Sequence, residues 1–205
     1  MILLLGSNNK HKASEVKQII EKHLPGQFEI KILSDVLDND FDVEEDGATL
    51  EENAYKKAYE YHKLSNLPCF ADDTGLEIDA LNGEPGVHSA RYAGKHGNDS
   101  ANRKKVLELL KDIPDEKRTA QFRTVICYYE GKEPHYIEGI CQGRIIHEER
   151  GSGGFGYDSI FVPDSYQQTF AEMNAEQKND LSHRGKAVRN FVELLRNIKN
   201  PLHHL

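Results

Sequence analysis

The sequence predicts a mixed α/β protein, and two observations carry that reading. Apolar strand-like runs alternate with segments of helical period through the first half of the chain, and strand-like runs then cluster in the second half. With 205 residues the chain can bury roughly 70% of the surface its unfolded form exposes. One domain over residues 1–205 is expected, because no repeat, low-complexity block or linker divides it.

Met1 to Leu5 reads as a first strand: it is apolar, runs at once into Gly6 and polar residues, and lacks the charged lead and cleavage site of a secretory signal. Lys10 to Leu24 reads as a helix, with Ala13, Val16, Ile20 and Leu24 at steps of three and four, ended by Pro25-Gly26. Phe28, Ile30 and Ile32 alternate in a second strand, followed by an acidic stretch from Asp35 to Asp46. Thr49 with Glu52 is a capping box, announcing a helix whose face repeats at Leu50, Ala54, Ala58, Tyr61 and Leu64.

After Pro68, Cys69 to Ala71 reads as a short buried strand that ends in Asp72-Asp73, with Gly75 and a further strand-like run from Leu76 to Leu81 behind it. Asn82 to Gly97 is a loop by its turn formers, and Asp99 to Leu110 a helix. Thr119 to Tyr129 and His135 to Ile146 read as long antiparallel strands around Gly131. The glycine-rich Gly151 to Gly156 feeds a strand at Ile160 to Val162. A polar segment, Asn174 to Ser182, then leads into a last helix that buries Val188, Phe191, Leu195 and Ile198. Pro201 stops that helix, and the tail Leu202 to Leu205 reads as a frayed end, so His203-His204 is not taken as a metal site.

The chain carries a formal charge of −8, yet two of its helix starts are basic. Lys10, His11 and Lys12 follow the polar lead-in Ser7, Asn8, Asn9, and His183, Arg184 and Lys186 follow Ser182. The first turn of a helix already presents unpaired N–H groups and the positive end of the macrodipole, so cations there repel unless an anion sits among them. The pattern predicts a bound anion, most simply phosphate. An isoelectric point near 5.7 argues against coating a nucleic acid polymer through a broad basic face, and no apolar run nears the ~18 residues of a membrane helix. Cys69, Cys127 and Cys141 are odd in number and lie among apolar residues, which fits reduced thiols and a cytoplasmic protein.

Gly151, Gly153 and Gly156 match the letters of a dinucleotide fingerprint but lead into a strand rather than a helix, so that reading fails. The loop permits close backbone approach, with Phe155 and Tyr157 to stack on a planar ring and Asp158 to accept from its N–H groups; a glycine turn carrying core aromatics is the competing reading. Asp72-Asp73 beside buried residues is costly unless a cation or proton relieves the repulsion. Magnesium suits such hard oxygen ligands, and the Glu44, Glu45, Asp46 run can supply a second carboxylate. Lys57 lies one turn after Asn53 and shares its helix face, while Lys178 stands in the polar segment before the last helix. Arg184 gains little from the backbone at a helix start, and its planar fork suits bidentate contacts to anions or carbonyl oxygens.

Six pieces together resemble the non-canonical purine nucleoside triphosphate pyrophosphatases, the inosine triphosphatase family. They are Ser7 to Lys12, Glu44 to Gly47 with Glu52-Asn53-Ala54, Phe70 to Leu76, Pro85-Gly86-Val87 with Ser89 to Tyr92, Gly153 to Asp158, and Leu181 to Gly185. The resemblance spans nearly the whole chain. It implies an elongated α/β fold, with a long mixed sheet, flanking helices and two lobes around a central substrate cleft. It also implies a magnesium-dependent, homodimeric enzyme that hydrolyses dITP, ITP and XTP to the monophosphate and pyrophosphate. Carried over by position, the phosphate loop spans Ser7, Asn8, Asn9, Lys10, His11 and Lys12, with Ser7, Asn9 and Lys12 holding the triphosphate and Lys57 and Lys178 adding positive charge. Asp73 becomes the general base, Glu45 with Asp73 the metal site, and Thr74 a substrate contact. Phe155, Gly156, Tyr157 and Asp158 belong to the base site, and His183 and Arg184 meet the 6-oxo edge. Asn8 and His11 stand where the family often has glycine, and His88 where it usually has tyrosine. Two other functions compete: a pyrophosphatase for modified pyrimidine nucleotides, and a nucleotide-binding regulator without turnover.

Overall fold

The computed structural model describes residues 1–37 and 41–199. Asp38 and Asp40 within the acidic stretch, Pro201 and the His203-His204 tail lie outside them. The elements run in the order β1 (Ile2–Leu5), α1 (Lys10–His23), β2 (Glu29–Ile32), α2 (Leu50–Ser65), β3 (Cys69–Ile78), β4 (Pro85–Gly86), α3 (Asp99–Leu109), β5 (Thr119–Tyr129), β6 (His135–Ile145), β7 (Phe161–Pro163), α4 (Ala175–Leu181) and α5 (His183–Lys199). Among the described residues the strands form one seven-stranded sheet in the order β2-β1-β3-β5-β6-β7, with β4 on β3. It is mixed: β1 pairs in parallel with β2 and β3, whereas β4 on β3 and β7 on β6 are antiparallel. The mixed α/β class is therefore as expected.

The chain divides into two compact units. The first holds residues 1–73, 124–139 and the chain from Arg184 onward; the second holds residues 74–123 and 140–183. In the first unit, Leu3 and Leu5 of β1 share a core with Ala13, Val16, Ile19 and Ile20 of α1 and Val188, Phe191, Val192 and Leu195 of α5, while Leu4 joins Leu33, Val43, Tyr61 and Cys69. That split follows the period of two along a strand, and a strand buried on both faces reads as a continuous apolar run. In the second unit Leu76, Ile78, Val106, Leu110, Phe122, Phe161 and Phe170 form a separate core. Arg118 is 1% exposed within this unit and donates Nε to Ile145 O at 2.8 Å, Nη2 to Ile146 O at 2.9 Å and Nη1 to Leu110 O.

Four local expectations change. β3 does not stop at Asp72-Asp73 but continues to Ile78, because those carboxylates find cations and an amide within the fold, described below. Along it, a side chain at Gly75 would meet Gly86 O at 2.8 Å, so glycine is what lets β4 approach. The segment before the last helix is itself a helix, α4, closed by a reciprocal cap in which Gln177 N–H donates to Asn174 Oδ1 and Asn174 N–H donates to Gln177 Oε1. At α2, Thr49 Oγ1 accepts from Glu52 N–H at 3.1 Å, but the Glu52 carboxylate accepts from Ala48 N–H rather than from Thr49, so only half of the capping box forms. Leu64 is 49% exposed, and the buried face of α2 instead includes Asn53 and Lys57. Cys69, Cys127 and Cys141 are buried free thiols, as expected. Among the described residues no helix is long and apolar enough to cross a membrane.

Candidate functional site

β1 delivers the chain into the loop before α1, and that loop is shaped by its own polar side chains. Ser7 Oγ accepts from Asn9 N–H at 3.1 Å, and Asn9 Oδ1 caps α1 by accepting from Lys12 N–H at 3.1 Å. Asn8, Asn9, Lys10 and His11 are exposed, and no acid lies in the first turn of α1. Nor is there one in the first turn of α5, so both helix starts are as basic as the sequence indicates.

The protein supplies part of the compensating negative charge itself. Lys12 Nζ lies 3.0 Å from Asp72 Oδ2, and Arg184 Nε lies 3.6 Å from the same atom. Arg184 also donates Nη1 to Glu15 at 2.6 Å. The expected anion thus has an internal counterpart: one buried carboxylate on β3 faces a cation from each helix start. Burial works to raise the Asp72 pKa, but Lys12, then Arg184 and Lys57, outweigh it and hold the carboxyl far below the ordinary range.

Asp73, the next residue of β3, has a different environment. Asn53 Nδ2 donates to Asp73 Oδ2 at 2.9 Å, and Asn53 Oδ1 accepts from Gly47 N–H at 2.8 Å. Asn53 therefore ties the loop that carries Glu45 to the Asp73 carboxylate. A side chain at Gly47 would meet Asn53 Oδ1 at 2.6 Å, which explains the glycine. Burial raises the Asp73 pKa, with Glu45 adding to it and Lys57 opposing. Lys57 donates to the Glu45 carboxylate and, at 2.7 Å, to Asp72 O. Burial would lower its pKa, yet Glu45, Asp73 and Asp72 raise it and keep the ammonium charged. Against the cost of burial, Lys57 in turn lowers Glu45.

After burial, Glu45 is what raises the Asp73 pKa, so the two carboxylates interact and offer oxygens of the kind magnesium takes. Among the described residues no group of three or more His, Cys, Asp or Glu is arranged to hold a metal. Magnesium takes one or two carboxylates and completes its shell with water and phosphate oxygens.

The second unit holds a different group. Asp158 Oδ2 accepts from Phe155 N–H at 2.9 Å and from Lys178 Nζ at 2.8 Å, and the Lys178 ammonium lies 4.6 Å from the Phe155 ring centroid. Gly154 at φ +70° allows this closure, since a side chain there would come within 2.1 Å of Asp158 Oδ2. Within this unit α4 places Lys178 beside Phe155 and Asp158. His183 is buried and stacks on Phe122, with centroids 4.5 Å apart and planes at 19°. Thr74 is half-buried on β3.

Two residues expected at the base site carry contacts within the second unit. Tyr157 is 4% exposed in the apolar core and donates its hydroxyl to Ser89 O at 2.7 Å; burial pushes its phenol pKa up. Gly156 spends both backbone groups on α3: its N–H donates to Asp99 Oδ2 and its carbonyl accepts from Arg103 Nη1, both at 2.8 Å. Sequence reasoning missed Glu15 and Asn53 as partners of Arg184 and Asp73. For Glu15 the one available signal was position, three residues after Lys12 on α1; Asn53 lies four before Lys57 on α2 and also stands in one of the six pieces.

Known proteins share the sequence and fold. The Ham1 family profile matches residues 3–194. The chain is 46% identical over 203 residues to the dITP/XTP pyrophosphatase of Clostridium perfringens, covering 95% of this chain and 97% of that protein. It is 47% identical over 193 residues to that of Porphyromonas gingivalis, covering 94% and 96%. Its fold is similar to that of the Staphylococcus aureus Ham1 protein, with a TM-score of 0.85 and 38% identity over 97% of this chain and 100% of the other. The nucleoside-triphosphatase / dITP/XTP pyrophosphatase of Mycobacterium abscessus gives a TM-score of 0.75 at 42% identity over 95% and 99%. With the profile, the close relatives and the solved structures in agreement along almost its full length, the chain belongs to the Ham1 family.

Proposed function

We propose that this protein hydrolyses dITP, ITP and XTP to the monophosphate and pyrophosphate, removing deaminated purine nucleotides from the pool; its relatives in Clostridium perfringens and Porphyromonas gingivalis are named dITP/XTP pyrophosphatases. The observation that carries the chemistry is Asp73: a buried carboxyl, oriented by Asn53, whose pKa burial and Glu45 raise against the opposing charge of Lys57. A carboxylate with a raised pKa is a stronger base than an ordinary one. Asp73 accepts a proton from water as its oxygen bonds to the α-phosphorus; the bond from that phosphorus to the bridging oxygen breaks, and pyrophosphate leaves with the electron pair. Glu45 and Asp73 would hold magnesium, which when bound would supply positive charge to the phosphate oxygens.

Ser7, Asn9 and Lys12 hold the triphosphate, since an ammonium has three donors and Asp72 takes one from Lys12. Lys57 adds charge beside Asp73, and Thr74 touches the substrate. Phe155 stacks on the base, Asp158 receives its N–H groups, and His183 and Arg184 donate to its 6-oxo group. Lys178 acts here by holding Asp158 rather than on the phosphates. An adenine would leave donors unpaired, at about 1–3 kcal/mol for each one buried. Guanine also carries a 6-oxo group, so these donors distinguish deaminated purines only from adenine. The three buried free thiols fit a reducing cytoplasm, and a homodimer follows the resemblance.

Pyrophosphate release measured with dITP, XTP, dATP and dGTP, with and without Mg, tests this reading. Turnover of dITP and XTP that requires Mg and exceeds that of dATP is expected. Comparable turnover of dATP rejects the selectivity argument, and undiminished turnover in EDTA rejects the metal.

A further inference from the structure

The glycine-rich loop has a clamp that the roles above do not use. Asp99 and Arg103 are four residues apart on α3 and so share one helix face. Together they take both hydrogen-bonding groups of Gly156: the N–H donates to Asp99 Oδ2 and the carbonyl accepts from Arg103 Nη1, each at 2.8 Å. Arg103 also donates Nε to Glu149 Oε2 at 2.8 Å, and that same oxygen accepts from Ser159 Oγ at 3.1 Å. Arg103 thus links the chain entering the loop, its far turn at Gly156 and the chain leaving it. The pinned residue is the one with φ +60°, which separates Phe155 from Tyr157 and Asp158. Tyr157 then anchors the next position in the core.

We propose that Asp99 and Arg103 are positioning residues of the base-recognition loop and set how tightly the base of the nucleotide is held. The proposal rests on the dITP/XTP reading. Gly151 to Gly154 are exposed, and a run of that composition has many conformations to lose when a ligand orders it. A loop fixed in advance at Gly156 presents the Phe155 ring and the Asp158 carboxylate in register before the base arrives, and preorganisation of this kind raises affinity without touching the reacting atoms. Binding that is uniform between ground and transition states alters KM and leaves kcat. The geometry also separates the two residues. Asn at position 99 retains a side-chain oxygen for the Gly156 N–H, whereas Lys at 103 retains the charge but cannot reach Gly156 O and Glu149 with two arms of one planar fork.

The test compares Asp99→Ala, Asp99→Asn, Arg103→Ala and Arg103→Lys with the full wild-type chain, using steady-state pyrophosphate release from dITP and thermal melts. Asp99→Ala and Arg103→Ala are expected to raise KM for dITP about ten-fold, with kcat within about two-fold of wild type. Asp99→Asn returns KM to near the wild-type value, and Arg103→Lys does not. A KM for dITP unchanged in both alanine variants overturns the proposal, as does Asp99→Asn behaving like Asp99→Ala while melting like wild type. Absence of dITP hydrolysis by the wild-type chain is a different result: it removes the proposed function itself, and with it the premise of the clamp.

Discussion

Replacing Asp73 by asparagine separates the charge of that side chain from its shape. An asparagine amide can orient its oxygen toward Asn53, so the 2.9 Å hydrogen bond from Asn53 Nδ2 has an acceptor in the variant and the tie to the Gly47 turn survives. What is lost is the base. General-base catalysis contributes typically 10²–10⁴-fold, so kcat should fall by about that factor, equivalent to roughly 3–5 kcal/mol of barrier. The effect on stability should have the opposite sign. The Asp73 pKa is raised, first by burial and then by Glu45, so near neutral pH the folded state disfavours the ionised carboxylate relative to the unfolded chain. A neutral amide removes that penalty, and a gain of about 0.5–2 kcal/mol is the usual size for relieving strain at a functional site. Pyrophosphate release from dITP and urea unfolding on the same preparation read both quantities. An Asp73→Asn protein that keeps turnover within ten-fold of wild type, or that unfolds more readily than wild type, would refute the reasoning.

Two further predictions concern the scaffold. Arg118→Ala removes donors from the carbonyls of Leu110, Ile145 and Ile146 and leaves a void where the side chain was 1% exposed. A loss of about 3–5 kcal/mol is expected, which lowers the melting temperature by roughly 6–20 °C for a chain of this size; a loss under about 1 kcal/mol would contradict it. At high pH, burial pushes the Cys127 thiol and the Tyr61 phenol each up to about 12. Both are neutral when protonated, so the folded state holds those protons to higher pH than the unfolded chain. Their stabilisation is complete below the ordinary thiol and phenol values and is lost as pH rises from about 9 toward 12. Urea midpoints should fall steadily over that interval, and Cys127 should resist alkylation at pH 8 in the native protein while reacting in urea. A flat alkaline profile would count against the burial argument.

The elements most legible in the sequence were those whose signal is local. Helical period and capping residues located helices such as α1 and α2, and apolar-rich runs either side of the Gly131 turn located β5 and β6, because a side chain's direction from its own backbone is set within a few residues. The short helix α4 was missed although Asn174 and Gln177 form a full cap, since seven polar-rich residues carry too little periodicity to register. β3 was cut at Asp72-Asp73 because two adjacent acids look like a chain end when their partners are unknown. Their partners come from α1, α2 and α5, as far as 112 residues away in the case of Arg184.

Residue types at particular spacings were enough to indicate a mixed α/β chain, basic helix starts, an acidic pair and a glycine loop flanked by Phe155 and Asp158, and these also bear the family resemblance. Which opposite charges meet was settled only by folding. Lys12 and Arg184 converge on Asp72, Lys57 bridges to Glu45, Lys178 pairs with Asp158, and Tyr157 turns into the core. The reason is that ion pairing and burial depend on distances of a few ångströms across distant segments, whereas strand and helix patterns are written in neighbours along the chain.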